Sequence, residues 1–118
     1  MKIAIPVDES KKDVCVSFGR APFFMLHDTQ SGTTQYIANT AADAQSGAGL
    51  KAAQLIVDNK ANVLLTVRCG QNAADVLVAA NIQVYKTSGS TAEDNCRDFA
   101  EGKLPVMTQF HAGFHGHQ

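Results

Sequence analysis

The chain has 118 residues, of which 45% are hydrophobic, with 10 basic and 11 acidic side chains and a formal net charge of −1. That length suits one domain with a real core and leaves little room for a second. The balanced charge argues against a duplex nucleic-acid binder, which carries a basic excess, and no run approaches the roughly 20 apolar residues of a membrane helix.

Lys2 to Val7 reads as the first strand, with Ile3, Ile5 and Val7 on one face. The N-terminus has neither a long apolar region nor a small-residue cleavage site, so a cytoplasmic location is expected. Asp8 to Asp13 is a polar loop, and Val14-Cys15-Val16 suits a short edge strand. Ser17 to Pro22 is a second loop, marked by Gly19 and Pro22. Phe23 to Thr29 and Thr33 to Asn39 read as a hairpin around Gln30-Ser31-Gly32. Thr40 to Gly49 is small and polar and ends in Ser46-Gly47-Ala48-Gly49.

A helix is predicted over about Leu50 to Asn59, with Leu50, Ala53, Ile56 and Val57 inward. Asn62 to Val67 is a continuous apolar run, as in a strand buried on both faces. Arg68 to Asn72 is a tight connection to a helix over about Ala73 to Ala80, with Ala73, Leu77 and Ala80 inward. Ile82 to Tyr85 is the next strand. Ser90 and Glu93 resemble a capping box opening a helix over Thr91 to Glu101, with Ala92, Cys96 and Phe99 inward. Gly102 is its stop. The alternation after Val63 implies parallel strands with right-handed crossovers. The expected architecture is a single α/β domain over residues 1–104, a mixed central sheet flanked by helices. Residues 105–118 form a flexible tail rich in Gly and His.

Ligands of open α/β sheets bind beyond the carboxyl ends of the parallel strands. Two loops fit that position. Ser46-Gly47-Ala48-Gly49 opens one helix, and Arg68-Cys69-Gly70, with Asn72 just beyond, opens the next. Helix N-termini carry unpaired N–H groups and the positive dipole end, so they favour anions. Arg68 adds a cation directly after a buried strand, and Ser17-Phe18-Gly19-Arg20 adds a second beside an aromatic ring. Neither a P-loop nor a dinucleotide fingerprint is present. Cys15, Cys69 and Cys96 are widely spaced, with no Cys-x-x-Cys pair, and read as reduced thiols. No nucleophile–base signature or carboxylate cluster marks a catalytic centre. His111, His115 and His117 have a spacing that suits a soft or borderline metal; the plainer reading is a polar tail.

At these loops the sequence resembles the dinitrogenase iron–molybdenum cofactor-binding family. The resemblance rests on Met1-Lys2-Ile3-Ala4-Ile5-Pro6-Val7, Ser17 to Phe24, Ser46 to Gly49, the strand ending at Gly70 with Ala74 and Leu77 beyond it, and Asn81 to Tyr85. It covers about residues 1–102. Family members often carry a doubled glycine where this chain has Ser46-Gly47. The resemblance implies a ribonuclease-H-like three-layer fold. For the short single-domain members it also implies a noncovalently held molybdenum–copper sulfide cluster, built from thiomolybdate and copper, and a P-loop ATPase as partner protein. The expected role is therefore carriage, storage or assembly of an anionic cluster, not catalysis. The alternatives are a cofactor-free interaction module for such an ATPase, or a metal-dependent nuclease in which Asp8 alone is well placed.

Overall fold

Strand β1 (Lys2–Val7) lies at the centre of a five-stranded sheet and is buried on both faces. A computed structural model describes residues 1–89, 91–108 and 110. In chain order the other elements are β2 (Phe23–Asp28), β3 (Thr34–Ala38), α1 (Ala48–Asp58), β4 (Val63–Thr66), α2 (Gln71–Ala79), β5 (Gln83–Lys86) and α3 (Ala92–Ala100). The sheet order is β3-β2-β1-β4-β5. β2 runs antiparallel to β1 and β3, while β4 runs parallel to β1 and β5. The sheet is therefore mixed, with α1 and α2 on one face and α3 on the other. This is the three-layer α/β arrangement expected from the sequence. Among the described residues no helix is long and apolar enough to cross a membrane.

Period-two alternation divides the core. Ile3, Ile5 and Val7 join Val63, Leu65, Ala92 and Leu104 on the α3 side. Ala4, Leu26, Leu64 and Val84 meet Ala52, Ala53, Ile56, Ala73, Ala74 and Leu77 on the other. Every residue of β4 is buried, which explains its unbroken apolar run. The two helices approach closely because small residues meet: a Cβ on Gly49 would lie 3.8 Å from that of Ala73.

The local expectations need four corrections. Val14 to Val16 is not a strand; only isolated bridges, Val7 to Val14 and Asp13 to Thr91, tie it down. α1 and α2 each begin two residues earlier than periodicity indicates, because alanines and polar residues at a helix start give no apolar signal. Leu50 and Ala80 consequently face outward, Leu50 with 44% exposure, and Ala52 and Ala74 take inward positions. At α3 the cap is Thr91, whose Oγ1 accepts from the Asp94 N–H at 3.1 Å; Ser90 lies outside the described residues. Gly102, at φ +74°, ends α3 as its composition indicates. Its N–H bonds the Phe99 carbonyl, and the Lys103 N–H bonds that of Asp98.

Residues 105–107, grouped with the tail by composition, run beside β5. Lys86 N–H donates to Pro105 O at 2.9 Å and Met107 N–H to Val84 O at 2.8 Å. The sheet edge at β5 is thus covered by the chain itself.

Candidate functional site

The sheet changes direction between β1 and β4. The chain leaves β1 toward β2 and leaves β4 toward β5, so the loops after these strands diverge and open a crevice at their carboxyl ends. A cavity of about 560 Å³ fills it. Its walls are Val16 to Arg20 after β1, Gly47 to Leu50 at the start of α1, and Arg68 to Ala73 after β4. Of the positions singled out in the sequence, Ser17, Phe18, Gly19, Arg20, Gly47, Ala48, Gly49, Arg68, Cys69, Gly70 and Asn72 come together here. Ser46 is exposed and is not among the lining residues. His111, His115 and His117 lie outside the described residues.

The two helix starts share an unusual feature. α1 is preceded by Gly47 and α2 by Gly70; neither helix has a side-chain cap or an acid in its first turn. Gly47 sits at φ +71°, a left-handed conformation that glycine adopts without strain. The first helical bonds are Lys51 N–H to Gly47 O and Ala74 N–H to Gly70 O. The amides of residues 48–50 and 71–73 therefore precede the helical ladder and border the cavity. α3 is built the opposite way, with Thr91 as cap and Glu93 and Asp94 in its first turn. The cavity wall includes two arginines and no carboxylate.

The loop that carries Gly19 and Arg20 is anchored from below. Asn39 is buried, and its Nδ2 donates to Gly19 O at 3.0 Å and Ala21 O at 2.9 Å. Its Oδ1 accepts from the Ala41 N–H at 3.0 Å. Arg20 Nη1 donates to the carbonyls of Ala42 and Ala44, at 2.9 and 2.7 Å. These are neutral acceptors, so the guanidinium ties two loops together while its charge stays uncompensated by them. Gly19 rests on the start of α1: a Cβ there would lie 2.9 Å from Gly49 N and 3.1 Å from its Cα. Phe18 turns inward and packs on Phe24, ring centroids 5.5 Å apart. Its ring is chiefly core. Exposed apolar surface at the mouth comes instead from Val16 and Leu50.

Sequence reasoning missed Asn39, Val16, Leu50 and Gln71. Asn39 gives no local sign, because its bonds cross about 20 residues. Leu50 was legible only as a core residue.

Cys69 is buried at the cavity floor, and burial pushes its thiol up to about 11. Cys96, on α3, is pushed up to about 11 by burial and by nearby Glu93. Both are neutral thiols at pH 7, so Cys69 is not a ready thiolate. The linkage has a definite sign. These groups hold their protons more tightly when folded, so their stabilisation is complete below about pH 9 and is lost as pH rises toward 11. Urea unfolding should show stability nearly level up to about pH 9 and falling between about pH 9 and 11, by at most about 1.4 kcal/mol per pH unit for each thiol. A Cys69→Ala/Cys96→Ala variant should show a shallower fall; an identical slope refutes the assignment.

Among the described residues no group of three or more His, Cys, Asp or Glu is placed to hold a metal ion. A carboxylate-based nuclease centre is therefore not formed by them. The fold and cavity define a class: an α/β domain with a cation- and amide-lined crevice at the carboxyl ends of its parallel strands.

Within that class, the chain belongs to the dinitrogenase iron-molybdenum cofactor family, whose pattern it matches over residues 1–102. It is 32% identical over 107 residues to an uncharacterised protein of Methanocaldococcus jannaschii, covering 88% of this chain and 89% of that one. It is similar to the apo form of the orange protein of Desulfovibrio gigas, with a TM-score of 0.85, 31% identity, and coverage of 91% and 92% of the two chains. A Thermotoga protein provisionally assigned to NifB aligns with a TM-score of 0.79 and 33% identity over 95% of this chain and 97% of that one.

Proposed function

We propose that the crevice binds an anionic metal–sulfur cluster noncovalently, and that the protein stores, delivers or assembles that cluster rather than catalysing a reaction. The observation that carries this reading is the contrast among the helix starts. α3 satisfies its own N-terminus with a cap and acids, whereas α1 and α2 leave theirs for the cavity. A sulfide-rich anion accepts hydrogen bonds from such amides and is favoured by the dipoles and by Arg20 and Arg68. Val16 and Leu50 supply apolar cover. The membership in a cofactor family and the likeness to the orange protein support the same class of ligand. The finer proposal is a molybdenum–copper sulfide cluster. Its metals are already ligated by sulfide, so the site need supply no thiolate, in keeping with the neutral Cys69.

Incubation of the purified protein with tetrathiomolybdate and copper should yield a coloured complex of fixed stoichiometry, read by visible absorption and metal analysis. Failure to retain molybdenum and copper after desalting refutes the proposal. Asn72→Asp makes a sharper test, because its two effects have opposite signs. A carboxylate in the first turn of α2 should leave thermal stability unchanged or raise it, by about 0.3–1 kcal/mol. It should weaken cluster binding at least tenfold at low salt by repelling the anion. Equal cluster affinity for variant and wild type would remove the helix start from the site.

A further inference from the structure

The carboxyl ends of the parallel strands β1, β4 and β5 carry a row of cations. Arg20 stands in the loop after β1, Arg68 follows β4, and Lys86 ends β5. The first two line the crevice. Lys86 lines a second cavity of about 410 Å³, which shares Arg68 and Cys69 with the crevice and so continues it toward β5. The backbone around Arg68 and Lys86 is fixed. Thr66 is buried and pairs with Lys86 across β4 and β5. Its Oγ1 donates to the Arg68 carbonyl at 3.0 Å, and its own carbonyl accepts from the Thr87 N–H at 3.1 Å. On the other side the Lys86 N–H donates to Pro105 O at 2.9 Å. Arg68 and Lys86 thus leave adjacent strands, which lie about 4.8 Å apart. By strand alternation Lys86 faces the same side as Val84, the side of α1 and α2. The second cavity repeats the chemistry of the first: its wall has two cations and no carboxylate, with Val67, Val106 and Phe110 as apolar surface. Among the described residues the ion pairs do not include Lys86.

We propose that the second cavity is a second anion subsite of the crevice, and that Lys86 selects an elongated ligand with two anionic ends over a compact one. The inference rests on the proposed function. A compact anion against the amides of α1 and α2 has Arg20 and Arg68 beside it, and Lys86 lies beyond, in the next cavity. Only a ligand that passes Arg68 brings charge to Lys86. Two thiomolybdate dianions joined through one cuprous ion have that form: a trianion whose sulfide-rich ends are separated by a cationic centre. One end takes the amides, the other takes Lys86, and Arg68 stands between them. Lys86 therefore adds attraction for the bridged species and little for a single thiomolybdate. The apolar walls of the second cavity cover the far end from water, as Val16 and Leu50 cover the near one.

The test measures two ligands anaerobically on the full chain: tetrathiomolybdate alone, and tetrathiomolybdate premixed with cuprous ion at two to one. Ultrafiltration with molybdenum analysis gives each affinity. The salt is held at about 0.15 M, where screening confines the effect of a charge to roughly 8 Å. The proteins are wild type, Lys86→Gln, Lys86→Glu and Lys12→Gln. Lys12 is exposed on the α3 side of the sheet, so its variant controls for net charge. Lys86 is exposed and its backbone bonds do not use the side chain, so urea midpoints should match wild type throughout. Lys86→Gln should bind the bridged species at least about fivefold more weakly, and Lys86→Glu more weakly still. Both should bind tetrathiomolybdate alone within about twofold of wild type, and Lys12→Gln should bind both ligands as wild type does. Unchanged affinity for the bridged species in the Lys86 variants overturns the proposal, and so does an equal loss for both ligands. If wild type holds tetrathiomolybdate but not the bridged species, the crevice stands as an anion site and the second subsite fails. If wild type holds neither, the function assigned to the crevice fails and the subsite fails with it.

Discussion

Replacing Arg20 and Arg68 together by alanine is expected to abolish retention of the cluster through desalting. Each single replacement should weaken binding by at least about tenfold at low ionic strength, since each removes a full charge beside the anion. Both side chains are exposed, so the loss should shrink as salt screens the site. The two arginines should differ in one respect. Arg20 also bonds the carbonyls of Ala42 and Ala44, so its removal loosens the 40–47 loop that leads into α1. Arg20→Lys keeps the charge but loses the longer, planar guanidinium whose Nη1 reaches both carbonyls. It should recover only part of the affinity. Isothermal titration with tetrathiomolybdate and copper at two salt concentrations measures wild type and the four variants. Wild-type affinity in the double variant would refute the electrostatic account.

Gly19→Ala is expected to damage site and fold together. The added methyl would meet Gly49 N at 2.9 Å and the Ala48 carbonyl carbon at 3.2 Å. Both are backbone atoms at the start of a helix, so no side chain can swing aside. The 17–22 loop must lift, which strains the Asn39 bonds to Gly19 and Ala21 beneath it. Overpacking of this kind costs about 1–3 kcal/mol, visible as a lower urea midpoint. Cluster binding should fall as well, because the lifted loop carries Arg20 away from the amides. Gly70→Ala is the control. A Cβ at Gly70 has nothing within 4 Å and its φ is −75°. Stability should hardly change there. If Gly19→Ala were equally neutral, the close packing of the two loops would be wrong.

Much of the fold was legible because it rests on local periodicity. Ile3, Ile5 and Val7 alternate with Ala4 so that one strand feeds both cores, and the unbroken run through Leu64 and Leu65 marks a strand covered on each face. The hairpin could be read from Gly32, which sits at φ +74° in its turn. Helix starts were less legible. The first turns of α1 and α2 lack an apolar stripe, and the residues that would have announced a start, caps and acids, are missing there. That same silence is what exposes the amides to the cavity. The error in placing the helix starts and the property of the site have one cause.

The sequence by itself determined the class of fold, the order of its elements and which loops bear glycine and arginine, since each of these is written within a few neighbouring residues. Only the tertiary structure decided that three loops separated by tens of residues enclose one crevice. It also decided that Arg20 serves as a tie between loops, that Phe18 turns into the core while Leu50 turns out, and that Cys69 keeps its proton. The physical reason is range. Strand alternation and turn chemistry are set by adjacent residues, whereas burial, the contact of Gly19 with Gly49 and the bonds of Asn39 arise only when distant segments are brought together by the core.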